Sequence, residues 1–480
     1  MNSRPTIQSP IPMPDLPKLS PITSTWMKEL MGKSLLISEL IEKHGSPINI
    51  HQPDAMEDNF ISYHKVFKDF GLKHKIFFAR KANKTKGVVR KANSIGMGID
   101  TASLQEYQQC IEMGLDPSDL IVTAAVKNKK LVESAVKNGS LIILDNSDEC
   151  ELVQRVAMDQ ERSVDIAFRV SGFLAKDQKL YSRFGFDIDE IEDFITANLL
   201  DSDHFNLLNY KGLHFHLNGY SIQERGIALT QCLALAQKLL DKRMKTEFID
   251  IGGGFLMNYL ESELEWDYFN QQLRLAVGNK REEITFENQG LGLHMSGGVL
   301  LGQLKTYPFW SPVTKGEFLR GILSSQSQSG KMAGTLAKEM GIEIRMEPGR
   351  SMLDQVGLTI AKVAFRKKDQ KGNWLIGLEM NMTQMLSGSA DFLLDPYVIY
   401  QNKKAQAEPV EVYFTGAYCL ERDILLKRKI ALTQLPNVSD FVVFVNTAGY
   451  MMHFFESSAH LFPLATNLIW NRKSGDFEIT

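Results

Sequence analysis

Short apolar runs alternate with amphipathic stretches between about residues 55 and 255 of the chain. The short runs are rich in β-branched and aromatic residues, which favours strands. They lie at residues 75–80, 97–100, 120–123, 140–144, 165–170, 211–217 and 247–251.

The segments between these runs carry apolar residues at the period of a helix, about 3.6 residues. The best examples are residues 104–113, 129–138 and 222–242. Repeated strand–helix alternation predicts a parallel sheet. About eight units fit before residue 350, which favours a closed (β/α)8 barrel over an open sheet. Barrels of this kind place their chemistry at the carboxyl ends of the strands.

The pattern changes twice along the rest of the chain. Residues 256–340 interrupt the alternation with Gly297-Gly298 and a polar run at 324–330, so we interpret them as a partly mobile barrel insertion. After residue 355 the apolar runs lack strong helices between them, which indicates a mostly antiparallel β domain. Its predicted strands are 358–366, 374–380, 410–415 and 440–445.

The predicted organisation follows from these changes. Six prolines (Pro5, Pro10, Pro12, Pro14, Pro17 and Pro21) mark residues 1–24 as an extended or disordered arm that packs on a partner subunit. Residues 53–355 form the barrel with its insertion near 256–340. Residues 25–52 and 356–480 form the β domain, to which the earlier segment adds a strand.

Composition narrows the class of protein. The 480 residues are 44% hydrophobic and 23% charged, with a net charge of −3, so no general attraction to nucleic acid or anionic membrane is expected. No apolar run approaches the ~18 residues that span a bilayer. The cysteines are scattered without metal-type spacing, which indicates reduced thiols in a cytoplasmic protein. They are Cys110, Cys150, Cys232 and Cys419.

Polar residues with chemical potential recur at predicted strand ends. Lys81 follows the apolar run Ile76–Ala79, and its amine could form an imine with an aldehyde cofactor. Asp100, at the next strand end, could orient that amine or could instead cap the following helix, as could Ser103. Arg169 lies at a later strand end.

His214 and His216 alternate along a predicted strand and so share one face. Three interpretations remain open. The pair could bind zinc in a hydrolase, it could place one imidazole against a flat cofactor, or it could be an ordinary core pairing. The zinc interpretation needs further ligands at strand ends, which the later histidines do not supply.

Two later motifs suit an anionic cofactor. Gly252-Gly253-Gly254 follows an apolar run, and glycine-exposed N–H groups can surround a phosphate, although a simple tight turn is equally consistent. In Glu347-Pro348-Gly349-Arg350 a carboxylate could keep a pyridine nitrogen protonated and the guanidinium could bind phosphate. Cys419 and Tyr450 add a thiol and a phenol. Together these are the groups needed to hold pyridoxal 5′-phosphate (PLP).

The ordered motifs resemble those of the fold-type III PLP-dependent decarboxylases, the group of ornithine, arginine and diaminopimelate decarboxylases. The matching blocks run in the family's order from about residue 50 to 455. They are Ala79–Asn83, Asp100–Glu106, Arg183–Gly185, Gly212–Gly219, Asp250–Gly254, Glu347–Arg350, Gly416–Asp423 and Ala448–Tyr450.

The resemblance implies an alanine-racemase-like barrel plus a β domain, in a homodimer with shared active sites. It implies that Lys81 holds PLP covalently, that His216 stacks on the ring and that Glu347 contacts the ring nitrogen. Cys419 would come from the other subunit to donate a proton. The phosphate would be bound by Gly253, Gly254, Arg350 and Tyr450. The cofactor would be supported by Asp100 and Arg169.

The departures from the family pattern concern the substrate. Relatives carry an acid directly after the cysteine, where this chain has Leu420, and Glu379 takes the place of a family aspartate. A serine that binds phosphate in relatives is missing after the histidine block, where this chain reads His216-Leu217-Asn218-Gly219. We therefore hypothesise an α-decarboxylase whose amino acid substrate has a modified or conjugated side chain. The alternatives are a PLP-dependent racemase or epimerase, a non-catalytic PLP-binding homologue, and the zinc hydrolase.

Overall fold

The computed structural model describes residues 6–8, 16–387, 392–402 and 408–480. The chain divides into two compact units. The barrel unit comprises Met56–Leu256 and Val313–Met352. The β unit comprises the described parts of Met1–Ala55, Met257–Pro312 and Leu353–Thr480.

The barrel unit is built on eight parallel strands that close into a ring, because the fifth strand pairs with the fourth as well as with the sixth. Their side chains are buried almost throughout, as expected for a sheet covered on both faces. The closed (β/α)8 barrel predicted from the sequence is confirmed. In chain order the strands are His74–Ala79, Gly98–Thr101, Leu120–Val122, Leu141–Leu144, Val164–Ser171, Leu208–His214, Phe248–Asp250 and Glu343–Met346.

Helices connect these strands, and several begin at a side-chain cap. Ser103, Asn128, Asn146 and Ser221 each accept a backbone N–H from the first turn of their helix. Because such caps and periodic apolar faces are visible in sequence, the predicted helices are confirmed to within a residue. The helices are Met56–Phe70, Lys86–Ser94, Leu104–Glu112, Lys129–Asn138, Ser147–Asp159, Ile191–Ile195, Ile222–Asp241, Lys315–Leu323 and Ala333–Glu339.

Three short strands lie beside the fifth barrel strand. Leu174–Ala175 and Gln178–Lys179 form a small hairpin, and Phe186–Asp187 pairs in parallel with the barrel strand Val164–Ser171. This excursion carries the Arg183-Phe184-Gly185 block to the carboxyl end of the strand.

The β unit contains a ten-stranded, mostly antiparallel sheet. A strand from the early part of the chain joins it, because Ile48–His51 pairs with the longest strand. The strands are Thr6–Gln8, Ile48–His51, Gly357–Lys368, Trp374–Leu378, Tyr397–Tyr400, Val410–Thr415, Ile430–Leu432, Phe441–Val445, Thr466–Trp470 and Phe477–Ile479.

Helices Thr25–Met31 and Ser34–His44 cover this sheet and share its apolar core, which includes Trp26, Leu358 and Trp470. Part of the proline-rich arm also packs on this unit. Leu16, Pro17 and Leu19 are buried, and the N–H of Leu19 donates to Asp395 Oδ2 at 3.2 Å. Pro5, Pro10, Pro12 and Pro14 lie outside the described residues.

The segment 256–340 contains elements of both units. Helix Glu263–Val277 and the hairpin of Leu293–Ser296 with Val299–Gly302 belong to the β unit. Helices Lys315–Leu323 and Ala333–Glu339 belong to the barrel unit and lead into its last strand.

Candidate active site

Lys81 and Asp100 meet at the carboxyl end of the barrel. Lys81 lies in the single turn Arg80–Ala82, directly after the first strand, and Ala79 is in register with Asp100 on the neighbouring strand. Lys81 Nζ is 3.1 Å from Asp100 Oδ2. The other oxygen of Asp100 accepts a hydrogen bond from Thr123 Oγ1. Since Ser103 caps the following helix, Asp100 is available to orient the amine.

Burial raises the pKa of Asp100, and the nearby carboxylate of Glu347 raises it further. The charge of Lys81 opposes both effects. The lysine side chain keeps 32% of its surface exposed, whereas the aspartate side chain has none. The amine is therefore accessible from the barrel mouth while its acidic partner is not.

Glu347 lies at the same end of the barrel as Lys81 and Asp100, next to the first strand on the side opposite Asp100. It follows the strand Glu343–Met346, whose residue Met346 is in register with Ile76 of the first strand. Its side chain is buried, and burial raises its pKa while Lys81 and Arg169 lower it. Three neighbouring strands thus bring Asp100, Lys81 and Glu347 together.

The two histidines occupy different environments. The strand Leu208–His214 ends at His214, so the predicted strand over 211–217 is too long and His216 lies beyond it. His214 is buried, and its Nε2 is 3.1 Å from Glu347 Oε1. His216 is partly accessible, and its Nδ1 accepts the N–H of Gly253 at 3.2 Å. Desolvation lowers the pKa of both rings well below the usual range, so both are neutral at physiological pH.

The glycine run is required by close contacts. A Cβ at Gly253 would lie 2.6 Å from the carbonyl oxygen of Glu347, and one at Gly254 would lie 2.2 Å from Arg225 Nη2. Gly252 and Gly254 also have positive φ values of 64° and 85°. The turn therefore presents bare backbone beside His216, as a phosphate cradle requires.

Arg225 was not predicted as a site residue. Its buried guanidinium donates to the carbonyl oxygens of Leu217 and Gly219 at 3.0 and 2.8 Å, and it lies against Gly254. Its Nε is buried without a hydrogen-bond partner among the described residues. The sequence signal is weak, since one arginine in the first turns of a long helix usually faces solvent.

Arg169 is placed by a polar network. Its Nη1 is 3.7 Å from Asp145 Oδ1, and its guanidinium lies 4.2 Å from the ring centre of Phe184. Asp145 Oδ1 also accepts the N–H of Gly185 at 3.1 Å. A buried ion pair supports this arrangement, because Lys127 Nζ is 2.9 Å from Glu149 Oε2 and the same oxygen accepts the N–H of Asp145. Neither Asp145 nor this pair was predicted.

Arg350 begins the short turn Arg350–Leu353 after the Glu347-Pro348-Gly349 segment, and it is buried. The adjacent Ser351 accepts a hydrogen bond from the Tyr63 hydroxyl at 2.6 Å. Arg350 thus joins the predicted residues in the barrel unit, all of which lie near or just past the carboxyl end of a barrel strand.

The remaining predicted residues belong to the β unit. Cys419 is a free, exposed cysteine, and Leu420 beside it is 44% exposed. Tyr450 has a positive φ of 70° and packs edge-on against Phe454, with ring centres 5.7 Å apart. Glu379 Oε1 is 3.8 Å from Lys362 Nζ.

The loop that carries Cys419 is organised by an aspartate that had no predicted role of its own. The carboxylate of Asp423 accepts the N–H of Tyr418 and the N–H of Met382, both at 2.7 Å. Ala417 N–H also donates to the carbonyl oxygen of Met380 at 2.8 Å. The cysteine loop and the turn after Glu379 are therefore held together.

A cavity of about 350 Å³ lies beside these two turns within the β unit. Its lining is mainly apolar and includes Phe365, Leu378, Met380, Ala417, Phe462 and Glu379.

A closed (β/α)8 barrel, a β sheet unit and a lysine paired with acids at the barrel mouth define a fold-type III PLP enzyme. Residues 54–289 match the family model of the pyridoxal-dependent decarboxylase, pyridoxal binding domain. The chain belongs to the fold-type III PLP-dependent decarboxylases. This membership supports an amino acid decarboxylase rather than the racemase or the zinc hydrolase.

Individual relatives agree over most of the chain. It is 28% identical over 455 residues to the uncharacterized protein y4yA of Sinorhizobium fredii, covering 93% of this chain and 92% of that one. It is 22% identical to diaminopimelate decarboxylase of Staphylococcus aureus, covering 88% of each. The crystal structure of diaminopimelate decarboxylase from Helicobacter pylori complexed with L-lysine superposes with a TM-score of 0.68 at 18% identity, covering 92% and 95%.

The cofactor of the family, PLP, fits the residues present. The barrel mouth offers an accessible amine and buried carboxylates. It also offers a glycine turn in which a side chain in place of a glycine would clash with neighbouring atoms. In the part of the chain described, no helix has the length and apolar character needed to cross a membrane.

Proposed function

We propose that the chain removes the α-carboxylate of an amino acid whose distal end is modified or conjugated. The observation that carries the assignment of the site is the meeting of Lys81, Asp100 and Glu347 from three neighbouring strands. When bound, PLP supplies a sink for the electrons left behind as carbon dioxide departs.

We propose residue roles that the placement of these side chains supports. Lys81 would hold the cofactor covalently, with Asp100 orienting its amine. Glu347 would face the ring nitrogen and the neutral ring of His216 would lie against the cofactor. The phosphate would be bound by the glycine turn with Gly253 and Gly254 and by Arg350 and Tyr450. Arg169 would support the cofactor.

We propose a homodimer in which Cys419 of one subunit completes the site of the other and returns a proton to the α-carbon. The exposed thiol supports this role, because a second subunit could reach it. Exposed apolar side chains accompany it in that unit, which is typical of an interaction surface. They are Leu420, Phe454, Phe455 and Leu461.

Two observations support a substrate without a free distal amine. Leu420 offers no carboxylate, and the carboxylate of Glu379 already lies near the ammonium of Lys362. The adjoining cavity of about 350 Å³ is mainly apolar, as a pocket for an acyl or other conjugated group would be. Glu379 would then lie at the polar edge of this pocket.

The deciding experiment measures carbon dioxide release from ornithine, lysine, diaminopimelate and side-chain-acylated forms of each, with the products identified by mass spectrometry. We expect the acylated compounds to be preferred. Rapid turnover of free ornithine or lysine would contradict the substrate proposal, and inversion of the α-carbon without carbon dioxide release would contradict decarboxylation itself. Three buried free thiols beside the exposed one support a cytoplasmic location, which we also propose.

A further inference from the structure

A buried polar cluster lies behind the proposed cofactor contact of Glu347. His214, Asp250 and Glu347 come from three consecutive barrel strands, and their polar atoms lie within 4.8 Å of one another. All three side chains are buried. His214 has no role in the proposed function so far.

The hydrogen bond between His214 and Glu347 fixes where the imidazole proton is. The proposed contact with a protonated ring nitrogen requires Glu347 to be ionised, and an ionised carboxylate can only accept hydrogen bonds. His214 Nε2 would then donate to Glu347 Oε1 across their 3.1 Å separation. A neutral imidazole then has its lone pair on Nδ1. That nitrogen is buried and has no hydrogen-bond partner among the described residues.

The unpaired nitrogen makes this histidine costly for packing alone. Leaving a buried acceptor unsatisfied destabilises a protein, and an apolar side chain of similar size would avoid the penalty. Protonation of the second ring nitrogen is also disfavoured, because the positive charges of Arg169 and Lys81 lie nearby. The single hydrogen bond to Glu347 is therefore what the histidine contributes.

We propose that His214 is a positioning residue for Glu347, holding Oε1 through its Nε2–H so that the carboxylate stays ionised and turns Oε2 toward the PLP ring nitrogen. The inference rests on the proposed contact of Glu347 with that nitrogen. A hydrogen bond to the charged form favours it, which opposes the burial that raises the pKa of Glu347.

The test compares binding of PLP with binding of 1-deaza-PLP, in which a C–H replaces the ring nitrogen. Full-length protein freed of cofactor is titrated with each compound, and Kd is measured by fluorescence. A hydrogen bond that acts through Glu347 should matter only for the compound with the nitrogen. The preference for PLP over its analogue is therefore the quantity that reports the role of His214.

We expect His214→Phe to reduce that preference by at least about tenfold, the size of one charge-assisted hydrogen bond. His214→Gln keeps an N–H donor and should retain most of the preference. Leu213→Ala is the matched control, because Leu213 is buried on the opposite face of the same strand. It should lower stability while weakening both compounds equally.

The comparison with Glu347→Gln separates two kinds of failure. If Glu347→Gln abolishes the preference but His214→Phe leaves it intact, the role of His214 is refuted and the proposed function stands. If Glu347→Gln leaves the preference unchanged, the proposed ring contact fails and the inference fails with it. Should His214→Phe not fold, His214→Asn provides the same test, since its shorter side chain cannot reach Glu347.

Discussion

The candidate site residues of the barrel unit differ from those of the β unit in how they are held. Asp100, Glu347 and His214 are buried and are hydrogen-bonded or ion-paired to other side chains of the site. Cys419 and Leu420 are exposed, and their loop is shaped by main-chain hydrogen bonds to Asp423. The barrel unit therefore carries a buried, preorganised group of candidate cofactor contacts, whereas the β unit presents exposed residues that we propose act on a second subunit.

The difference has a simple origin. Parallel strands in register bring their carboxyl ends to one layer, so residues at those ends meet whatever their sequence separation. A loop between antiparallel strands has no such register, and its side chains point to solvent unless a partner covers them. The following experiments test whether the two groups behave as this difference requires.

Removing the amine should have the largest effect. Lys81→Ala should abolish the visible absorbance band of the bound cofactor and lower activity by at least about a thousandfold, because no other group can replace the covalent link. Borohydride reduction followed by mass analysis should find a pyridoxyl adduct at Lys81 only in the wild type. Lys84→Ala, which changes an exposed lysine nearby, should retain the band. An adduct at another lysine would refute the assignment.

Removing the thiol should separate cofactor binding from turnover. Cys419→Ala should keep the absorbance band and lose about a hundredfold in kcat, the usual range for a lost proton donor. Mixing Cys419→Ala with Lys81→Ala subunits should restore roughly a quarter of the wild-type activity, because each hybrid dimer holds one intact site. No recovery after subunit exchange would place the thiol in the site of its own chain.

Restoring an acid beside the thiol should change substrate preference. Leu420→Asp should raise kcat/KM for free lysine or ornithine by about tenfold and lower it for acylated forms, since a carboxylate favours an ammonium over an amide. Leu420→Asn adds polarity without charge and is the matched control. Equal effects of the two variants would show that charge at this position does not select the substrate.

The buried acids should make the stability of the folded protein depend slightly on pH. Burial raises the pKa of Asp250 well above its ordinary value, and Glu347 adds to the effect. The folded, cofactor-free protein therefore binds this proton more tightly than the unfolded chain does, and stability falls as pH rises through the raised pKa. Asp250→Asn keeps an oxygen for the N–H of Gly252 but should remove this fall, raising Tm by roughly 3 °C above that pKa.

The control for this prediction is Glu192, whose contribution to stability should depend on pH in the opposite direction. The pKa of Glu192 is lowered by hydrogen bonds from Lys242 and Lys238, so its stabilising effect is present above its ordinary value and is lost as pH falls through the lowered one. Glu192→Gln should therefore matter least at acidic pH. A pH profile of Tm that is unchanged by Asp250→Asn would mean that this carboxyl titrates normally.

Much of the barrel could be predicted from sequence because short apolar runs and capped amphipathic helices are local signals. Lys81, Asp100 and Glu347 became candidates for the same reason, since each lies at or just past the end of such a run. The exact end of a strand is not a local property, which is why His216 was placed on a strand that stops at His214.

The residues that were missed have distant partners. Arg225 contacts the glycine turn, and Asp423 joins its loop to a turn about forty residues earlier, which no periodicity reveals. Likewise, the assignment of residues 257–312 to the β unit depends on contacts such as Thr285 with Arg428, far apart in the chain.

The buried positive charge of Arg225 should affect how PLP associates with the protein when the cofactor is dilute. Although burial lowers its pKa to about 10, the guanidinium remains positively charged at neutral pH. It therefore maintains a fixed positive potential behind the glycine turn, where water screens it poorly. A doubly charged phosphate would be drawn toward the barrel mouth over a longer range than any hydrogen bond reaches, and sensitivity of the loading rate to ionic strength would reveal that attraction.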